Sequence, residues 1–193
     1  MTDDPFPTID ADRLDRGGWV LAERTSETVF ALPSFRVEGH TRLYEHPGSE
    51  AAEGSDGAGG VDGTGPPRRF FFATRLDFEP PLSRLASTSL LPVVRSRATR
   101  AFVADLEDRG LEGVKRKGTR RTRTDAGERV RLTRHAARID VDEGSADVEA
   151  WCGVWLHEGE FRAAGGAFPT AGIDGLDPHG DREELFALVR GVE

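Results

Sequence analysis

The feature that most constrains the fold is a repeated alternation of apolar and polar side chains over runs of about ten residues. In residues 35–44 every second position contributes to one mainly apolar face, formed by Phe35, Val37, Gly39, Thr41 and Leu43. In residues 69–78 one face carries Phe70, Phe72, Thr74, Leu76 and Phe78. A period of two is that of a β-strand. Because Phe71 and Ala73 make the other face of the second run apolar as well, we expect this strand to be covered on both sides.

Further runs with the same character follow turn signals along the chain. Short strands are predicted at residues 19–23 and 28–32, before an interruption at Pro33. Two more hairpins are predicted, one turning at Asp125-Ala126-Gly127 and the other at Glu158-Gly159. Their strands are predicted at residues 114–124, 129–141, 148–156 and 160–168, with Pro169 ending the last and residues 148–156 central in the sheet.

Two segments have the spacing of amphipathic helices. The longer is residues 87–109, with Pro92 in its first turn, Gly110 as its C-terminal cap and an apolar stripe of Val94, Ala98, Ala101, Phe102 and Leu106. The shorter is residues 181–190, where Asp181 and Glu184 resemble a capping box and Gly191 ends the helix. Strands joined by hairpins, together with two helices, predict an α+β fold: a mainly antiparallel sheet of about six strands flanked by helices.

Two segments fall outside these patterns. Residues 1–17 are polar and acidic, and we expect a flexible tail with Phe6 and Ile9 as possible anchors. Residues 47–67 are rich in glycine and acidic residues and have almost no apolar bulk, so we expect a disordered hairpin loop. The remaining chain, residues 18–193, is predicted to form a single domain.

The composition indicates an acidic protein adapted to high salt, the alternative being a protein of a mesophile with a GC-rich genome. The chain has 34 acidic and 26 basic residues, only two of them lysine, and contains neither Asn nor Gln. Surplus carboxylates keep a surface hydrated, and concentrated salt screens their mutual repulsion. The single cysteine, Cys152, excludes an internal disulfide. No signal peptide or membrane-spanning run is visible, so we expect a cytoplasmic protein.

Several stretches resemble an uncharacterised family of haloarchaeal proteins. They are FALPSFRVEGHTRLYEH, RRFFFATRLDF, RTDAGERVRLTRH and VEAWCGVWLHEGEFRAAGGAFP, and the resemblance covers most of the chain from residue 19 onward. The order of elements also resembles the Mog1/PsbP-like architecture, in which an antiparallel sheet lies between helices. This second resemblance implies a binding or assembly protein rather than an enzyme, by analogy of fold alone.

The sequence contains no recognisable catalytic or metal-binding motif. The patterns of a phosphate-binding loop, a GxSxG nucleophile elbow, an HExxH zinc helix and a calcium loop are all unmatched. Cys152 lies in the most apolar strand, where we expect a buried and unreactive thiol. The aspartates and histidine of residues 174–181 are interpreted as a polar loop that leads into a helix cap. We therefore expect no catalytic residues, no metal and no cofactor.

The strongest local feature is a concentration of positive charge at residues 115–138. Ten Lys or Arg residues stand there against two acids, so this segment carries +8 while the rest of the chain carries −16. Placed on a hairpin, Arg121 and Arg123 are predicted to share a face with Lys115, Lys117 and Thr119, and Arg129 and Arg131 to project beside them. The predicted anion-binding or partner surface consists of Lys115, Lys117, Arg120, Arg121, Arg123, Arg129, Arg131 and Arg134.

Three functions are compatible with this sequence. The first is a non-catalytic binding or assembly domain, with an unknown protein partner or a second copy as its partner. The second is binding of nucleic acid or another anion through the basic hairpin. In a competing structural interpretation these arginines pair across strands with Asp147, Glu149, Glu38 and other acids. The third is a small enzyme with a pocket between helix and sheet and with Tyr44, His40 or His135 as its polar groups.

Overall fold

The computed structural model describes residues 4–32, 34–47, 69–141 and 144–193. The predicted loop at 47–67 lies outside these ranges except for Pro47. In chain order the elements are α1 (Ala11–Arg16), β1 (Val20–Leu32), β2 (Phe35–His46), β3 (Arg69–Glu79), α2 (Arg84–Asp108), β4 (Glu112–Arg123), β5 (Arg129–Val141), β6 (Gly144–His157), β7 (Glu160–Ala171) and α3 (Pro178–Arg190).

The strands form one antiparallel sheet of seven strands in the order β1-β2-β3-β7-β6-β5-β4. The α+β prediction with three hairpins is confirmed, and the number of strands is seven rather than six. The two short strands predicted before Pro33 are a single strand, β1, because residues 24–27 between them continue to pair with β2. These residues are polar, and β1 is an edge strand, so they reach water without breaking the ladder.

Helix α2 covers one face of the sheet and packs mainly on β6. It begins after Ser83, whose side chain accepts a hydrogen bond from the backbone N–H of Ala86 at 3.3 Å. The helix therefore starts three residues before the predicted position, and Pro92 lies in its interior rather than in its first turn. The predicted apolar stripe is confirmed for Val94, Phe102 and Leu106, which are buried against the sheet. Ala98 is half-buried and Ala101 is exposed, so the buried stripe is narrower than predicted.

A Schellman motif ends α2. The backbone N–H of Gly110 bonds to the carbonyl of Glu107, and that of Leu111 bonds to the carbonyl of Leu106. Gly110 has φ +84°, a conformation that glycine adopts without steric cost. Leu106 and Leu111 both belong to the core under α2, which supplies the apolar contact typical of this motif.

Helices α1 and α3 lie on the opposite face of the sheet. Helix α3 begins after Asp177, whose carboxylate accepts a hydrogen bond from the N–H of Gly180 at 3.0 Å. The capping box predicted at Asp181 and Glu184 is therefore wrong, because both carboxylates instead accept hydrogen bonds from the Arg69 guanidinium. Gly191 ends the helix as predicted.

Residues 4–17 differ from the predicted tail. Ile9 pairs with Val192 in an isolated antiparallel bridge, and α1 follows directly. Ile9, Leu14 and Trp19 are buried in the same cluster as α3. Although this segment is mostly polar, its few apolar side chains fall on one side and complete the core under α3.

The central hairpin β6–β7 has both faces covered. Its turn places Glu158 at φ +52° and Gly159 at φ +94°, the two positive angles of a type I′ turn. Strand β7 continues past Pro169 to Ala171, although Pro169 was predicted to end it. Proline is tolerated there because pairing of β7 with β3 stops at Ala167, so no ladder bond on that side is lost.

Candidate anion-binding site

The β4–β5 hairpin carries most of the basic segment and forms one edge of the sheet. Its turn is closed by Thr124, whose N–H donates to the Glu128 carbonyl at 3.0 Å. The Thr124 hydroxyl oxygen accepts the N–H of Glu128 at 3.0 Å, and Gly127 adopts φ +94°. These local bonds set the register of the two strands and therefore decide which basic side chains lie opposite each other.

The register places like charges in direct opposition. Arg121 pairs with Arg131, and Arg123 pairs with Arg129. The intervening Val130 and Leu132 are buried on the α3 side, so these four arginines all project from the face that α2 covers. Arg123 donates to the Gly127 carbonyl at 3.1 Å. Within the described part of the chain, none of the four forms an ion pair with a carboxylate.

A fifth arginine comes from helix α2. Arg95 is half-buried, and its Nη2 donates to the carbonyl of Val154 at 3.3 Å. Burial lowers the pKa of Arg95, and the neighbouring charge of Arg131 lowers it further. Its buried Nε has no hydrogen-bond partner among the described residues. This guanidinium is therefore held at the cleft wall, with its buried Nε donor unused.

Together these side chains line one open cleft of about 730 Å³ between α2 and the β4–β5 hairpin. We call it the arginine cleft; it is lined by Arg95, Arg121, Thr122, Arg123, Arg129, Val130 and Arg131. Guanidinium groups present several N–H donors in a planar fork that matches the oxygens of phosphate or carboxylate. The cleft is therefore chemically suited to a multivalent anion.

The remaining basic residues of the predicted surface lie elsewhere. Val114 packs into the core under α2, so its neighbour Lys115 points to the opposite face. Strand β4 has two bulges, the first between Glu112 and Lys115 and the second between Arg116 and Gly118. The prediction that Lys115 shares a face with Arg121 is wrong, because the second bulge lies between these two residues and reverses the alternation. Lys117 is exposed and lies within the second bulge.

Arg120 and Arg134 also lie on the α3 side. The Arg120 guanidinium stands 4.8 Å from the Phe186 ring centroid and 3.8 Å from Glu183. Arg134 contacts Glu149 at 2.5 Å. These two belong to the packing of α3 rather than to the arginine cleft.

Glu149 is the centre of a buried charge network, with 2% of its surface exposed. It accepts hydrogen bonds from Arg182 at 2.6 and 3.0 Å and from the Trp151 indole at 2.8 Å. Burial opposes ionisation of Glu149, but the bonds from Arg182 and Trp151 and the charge of Arg134 hold its pKa below its ordinary value. The cross-strand pairing predicted for Glu149 and Asp147 is confirmed, since Arg138 also contacts Asp147 at 2.9 Å.

Groups proposed for catalysis are buried or separated. Burial raises the pKa of the Cys152 thiol to about 12, in agreement with the predicted unreactive thiol. A cavity does lie between α2 and the sheet, but Tyr44, His40 and His135 do not line it. His135 is buried, and burial lowers its pKa, as does the charge of Arg116.

Sequence reasoning missed Arg95 as a member of the cleft. Its only sequence signal is its position directly after Val94 in the apolar stripe, which places it at the border of the buried helix face. Which strands lie beside that border depends on how α2 crosses the sheet, and the crossing of α2 cannot be predicted from the local sequence pattern.

Among the described residues, no three or more His, Cys, Asp or Glu side chains are grouped so that they could hold a metal ion. No described helix combines the length and apolar composition needed to cross a membrane.

Comparison with known proteins identifies one family. A family model described as "Domain of unknown function (DUF6517)" matches residues 6–193, nearly the whole chain. No curated protein and no solved structure shows a significant match. The haloarchaeal origin and the Mog1/PsbP-like resemblance therefore stay predictions. The chain belongs to the DUF6517 family, a domain of unknown function.

Proposed function

We propose that this protein is a non-catalytic binding domain that captures a compact, phosphate-bearing anion in the arginine cleft. The observation that carries the proposal is the direct opposition of Arg121 with Arg131 and of Arg123 with Arg129, without carboxylate partners among the described residues. Salt-adapted composition supports a cytoplasmic, high-salt setting for this function.

The energetics of the free protein favour an anionic ligand. Like charges directly opposite on neighbouring strands destabilise a sheet, by about 0.2–1 kcal/mol for each pair. Two such pairs and the half-buried Arg95 converge on one cleft. An anion bound between them removes the repulsion and adds charge-assisted hydrogen bonds, so binding and stability increase together.

The shape of the cleft favours a compact ligand over an extended nucleic acid. None of the described residues that line it is aromatic, so these residues offer no stacking surface for bases. Five phosphate contacts on duplex DNA give a salt slope near −4.5, which removes roughly 6.6 decades of affinity between about 0.1 M and about 3 M salt. Partly buried charges are screened less than exposed ones. We therefore expect a polyphosphate-type group that enters the cleft and contacts several arginines at once.

Isothermal titration with inorganic tripolyphosphate tests the proposal. Single-stranded DNA and poly-glutamate are titrated in parallel, each across a salt series. We expect tripolyphosphate to bind, and the double variant Arg121→Gln/Arg131→Gln to bind it at least about tenfold more weakly, because each charged hydrogen bond contributes about 1.5–3 kcal/mol.

The matched control is Arg97→Gln/Arg100→Gln on the exposed side of α2, which removes the same charge away from the cleft. An equal loss in both double variants would mean that net charge, and not the cleft, causes binding. Tighter binding of DNA or poly-glutamate than of tripolyphosphate would mean that the ligand is a nucleic acid or a polycarboxylate and not a compact phosphate. No binding of any of the three would refute the site.

Assembly is the second candidate function, favoured by one observation at the opposite edge of the sheet. Val20 and Leu21 begin edge strand β1 and are 56% and 45% exposed. Pairing of β4 with β4 of a second copy would place arginine against arginine, so self-association would use β1. We expect Leu21→Lys to convert an associated species to monomer in size-exclusion chromatography with light scattering. A wild-type protein that is already monomeric would refute this candidate.

A further inference from the structure

A second cavity lies on the other side of helix α2. It has a volume of about 300 Å³ and lies between α2 and strands β1, β2 and β3. Its floor and walls are mainly apolar, with Leu43, Phe70 and Phe72 from the sheet and Phe102 from the helix. Protein interiors are packed to the density of organic crystals and leave few voids larger than a water molecule. The cavity reaches the lower end of the size range of small-molecule sites, about 300–1,000 Å³.

The mouth of this cavity is acidic. Glu23, Thr25 and Glu27 stand at every second position of β1 and line the same side of the cavity. Neither glutamate forms an ion pair within the described residues, and both are exposed. In contrast, Asp105 is neutralised by Arg109 at 2.9 Å.

Among the described residues that line the cavity, the only cation, Arg109, is already engaged. The Arg109 guanidinium lies 4.7 Å from the Phe70 ring centroid as well as against Asp105. On the floor, the hydroxyls of Thr41 and Thr74 bond to each other at 2.8 Å. The charges left at the mouth for a ligand are therefore the two carboxylates of Glu23 and Glu27.

We propose that this cavity binds an organic cation with an apolar body: its hydrocarbon part packs against the Phe72 and Phe102 rings, which contact each other with centroids 5.4 Å apart, and its ammonium group lies at Glu23 and Glu27. Aromatic faces attract ammonium groups, and burial of the hydrocarbon part adds the hydrophobic contribution. An anion of the same shape would meet two uncompensated carboxylates. This site is separate from the arginine cleft and does not depend on its function.

Three probes of one shape test the assignment: 4-phenylbutylamine, 4-phenylbutan-1-ol and 4-phenylbutyrate, titrated by calorimetry at pH 7. We expect affinity to fall in that order. In the double variant Glu23→Gln/Glu27→Gln the amine should bind about twofold to thirtyfold more weakly, the range for two exposed ion pairs, and the alcohol should bind as before.

Two further variants locate the binding. Ala101→Trp fills the cavity from helix α2 and should abolish binding of the amine, while a normal melting transition shows that the variant folds. Binding of phenylbutyrate in the arginine cleft would be unaffected by Ala101→Trp, so this variant distinguishes the two sites. Glu107→Gln/Glu112→Gln is the control for net charge, because both residues are exposed and lie outside the cavity. Equal binding of amine and acid, an equal loss in the control, or no binding of the amine at millimolar concentration would overturn the proposal.

Discussion

Removal of one arginine charge from the cleft should make the free protein more stable. Arg121 stands directly opposite Arg131, and neither has a carboxylate partner among the described residues. The substitution Arg121→Gln keeps most of the aliphatic stem but removes the charge, so it relieves one directly opposed pair. A binding residue that opposes stability in this way is typical of functional sites, where local rules are broken for the ligand.

The expected size follows from the pairing. One like-charged cross-strand pair costs about 0.2–1 kcal/mol. For a chain of this length a change of 1 kcal/mol shifts the melting temperature by about 2–4 °C. We therefore expect Arg121→Gln to melt up to about 4 °C higher at low salt. At about 1 M salt the Debye length is about 3 Å, so the repulsion is screened and the gain should disappear.

Thermal melts with and without tripolyphosphate measure this directly. A ligand that binds only the folded state raises its stability by RT ln(1 + [L]/Kd), so the ligand should raise the wild-type melting temperature more than that of the variant. Arg97→Gln is the control for the loss of one exposed charge on α2. If Arg121→Gln melts more than about 2 °C lower at low salt without ligand, Arg121 has a structural partner and the reasoning is wrong.

Three other expectations concern the fold. Glu149→Gln should cost about 2 kcal/mol at pH 7, because it weakens a buried, hydrogen-bonded charge network. The folded-state pKa of Glu149 lies below its ordinary 4.5, so this contribution is fully present above pH 4.5 and is lost as the pH falls through the folded-state pKa. Urea titrations should show the difference from wild type shrinking as the pH falls below 4.5. Cys152 should react with a thiol reagent at pH 8 only at the rate of unfolding, since burial raises its pKa to about 12; fast labelling of the native protein would contradict this. Gly110→Ala should cost about 1 kcal/mol of unfolding free energy, because Gly110 has a positive φ. Gly118→Ala is the control and should be nearly neutral, since a Cβ at either position meets no atom within 4 Å. Equal unfolding free energies of the two variants would refute the backbone argument.

The local patterns predicted the hairpins and the stripe of α2 because strand alternation and helix spacing are properties of neighbouring residues. The two-sided apolar run of β3 also predicted its covered position, with Phe71 and Ala73 buried under α3 and Phe70 under α2. Helix α1 was missed because its apolar residues are few and gain their burial only from α3. The β4 bulges were missed because they involve ordinary residues, so nothing in the sequence signals the change of face at Lys115.

The sequence by itself determined that positive charge is concentrated in residues 115–138 and that this segment folds as a hairpin. The tertiary structure alone decided which of these charges converge. Register set Arg121 against Arg131, and the bulge between Arg116 and Gly118 turned Lys115 away. Pairing of β5 with β6 set Arg134 beside Glu149, α3 added Arg182 to that carboxylate, and α2 added Arg95 to the cleft. The physical reason is that charge and periodicity are properties of each residue and its neighbours in sequence. The contact between two charged side chains across a sheet depends instead on which distant segment packs beside them.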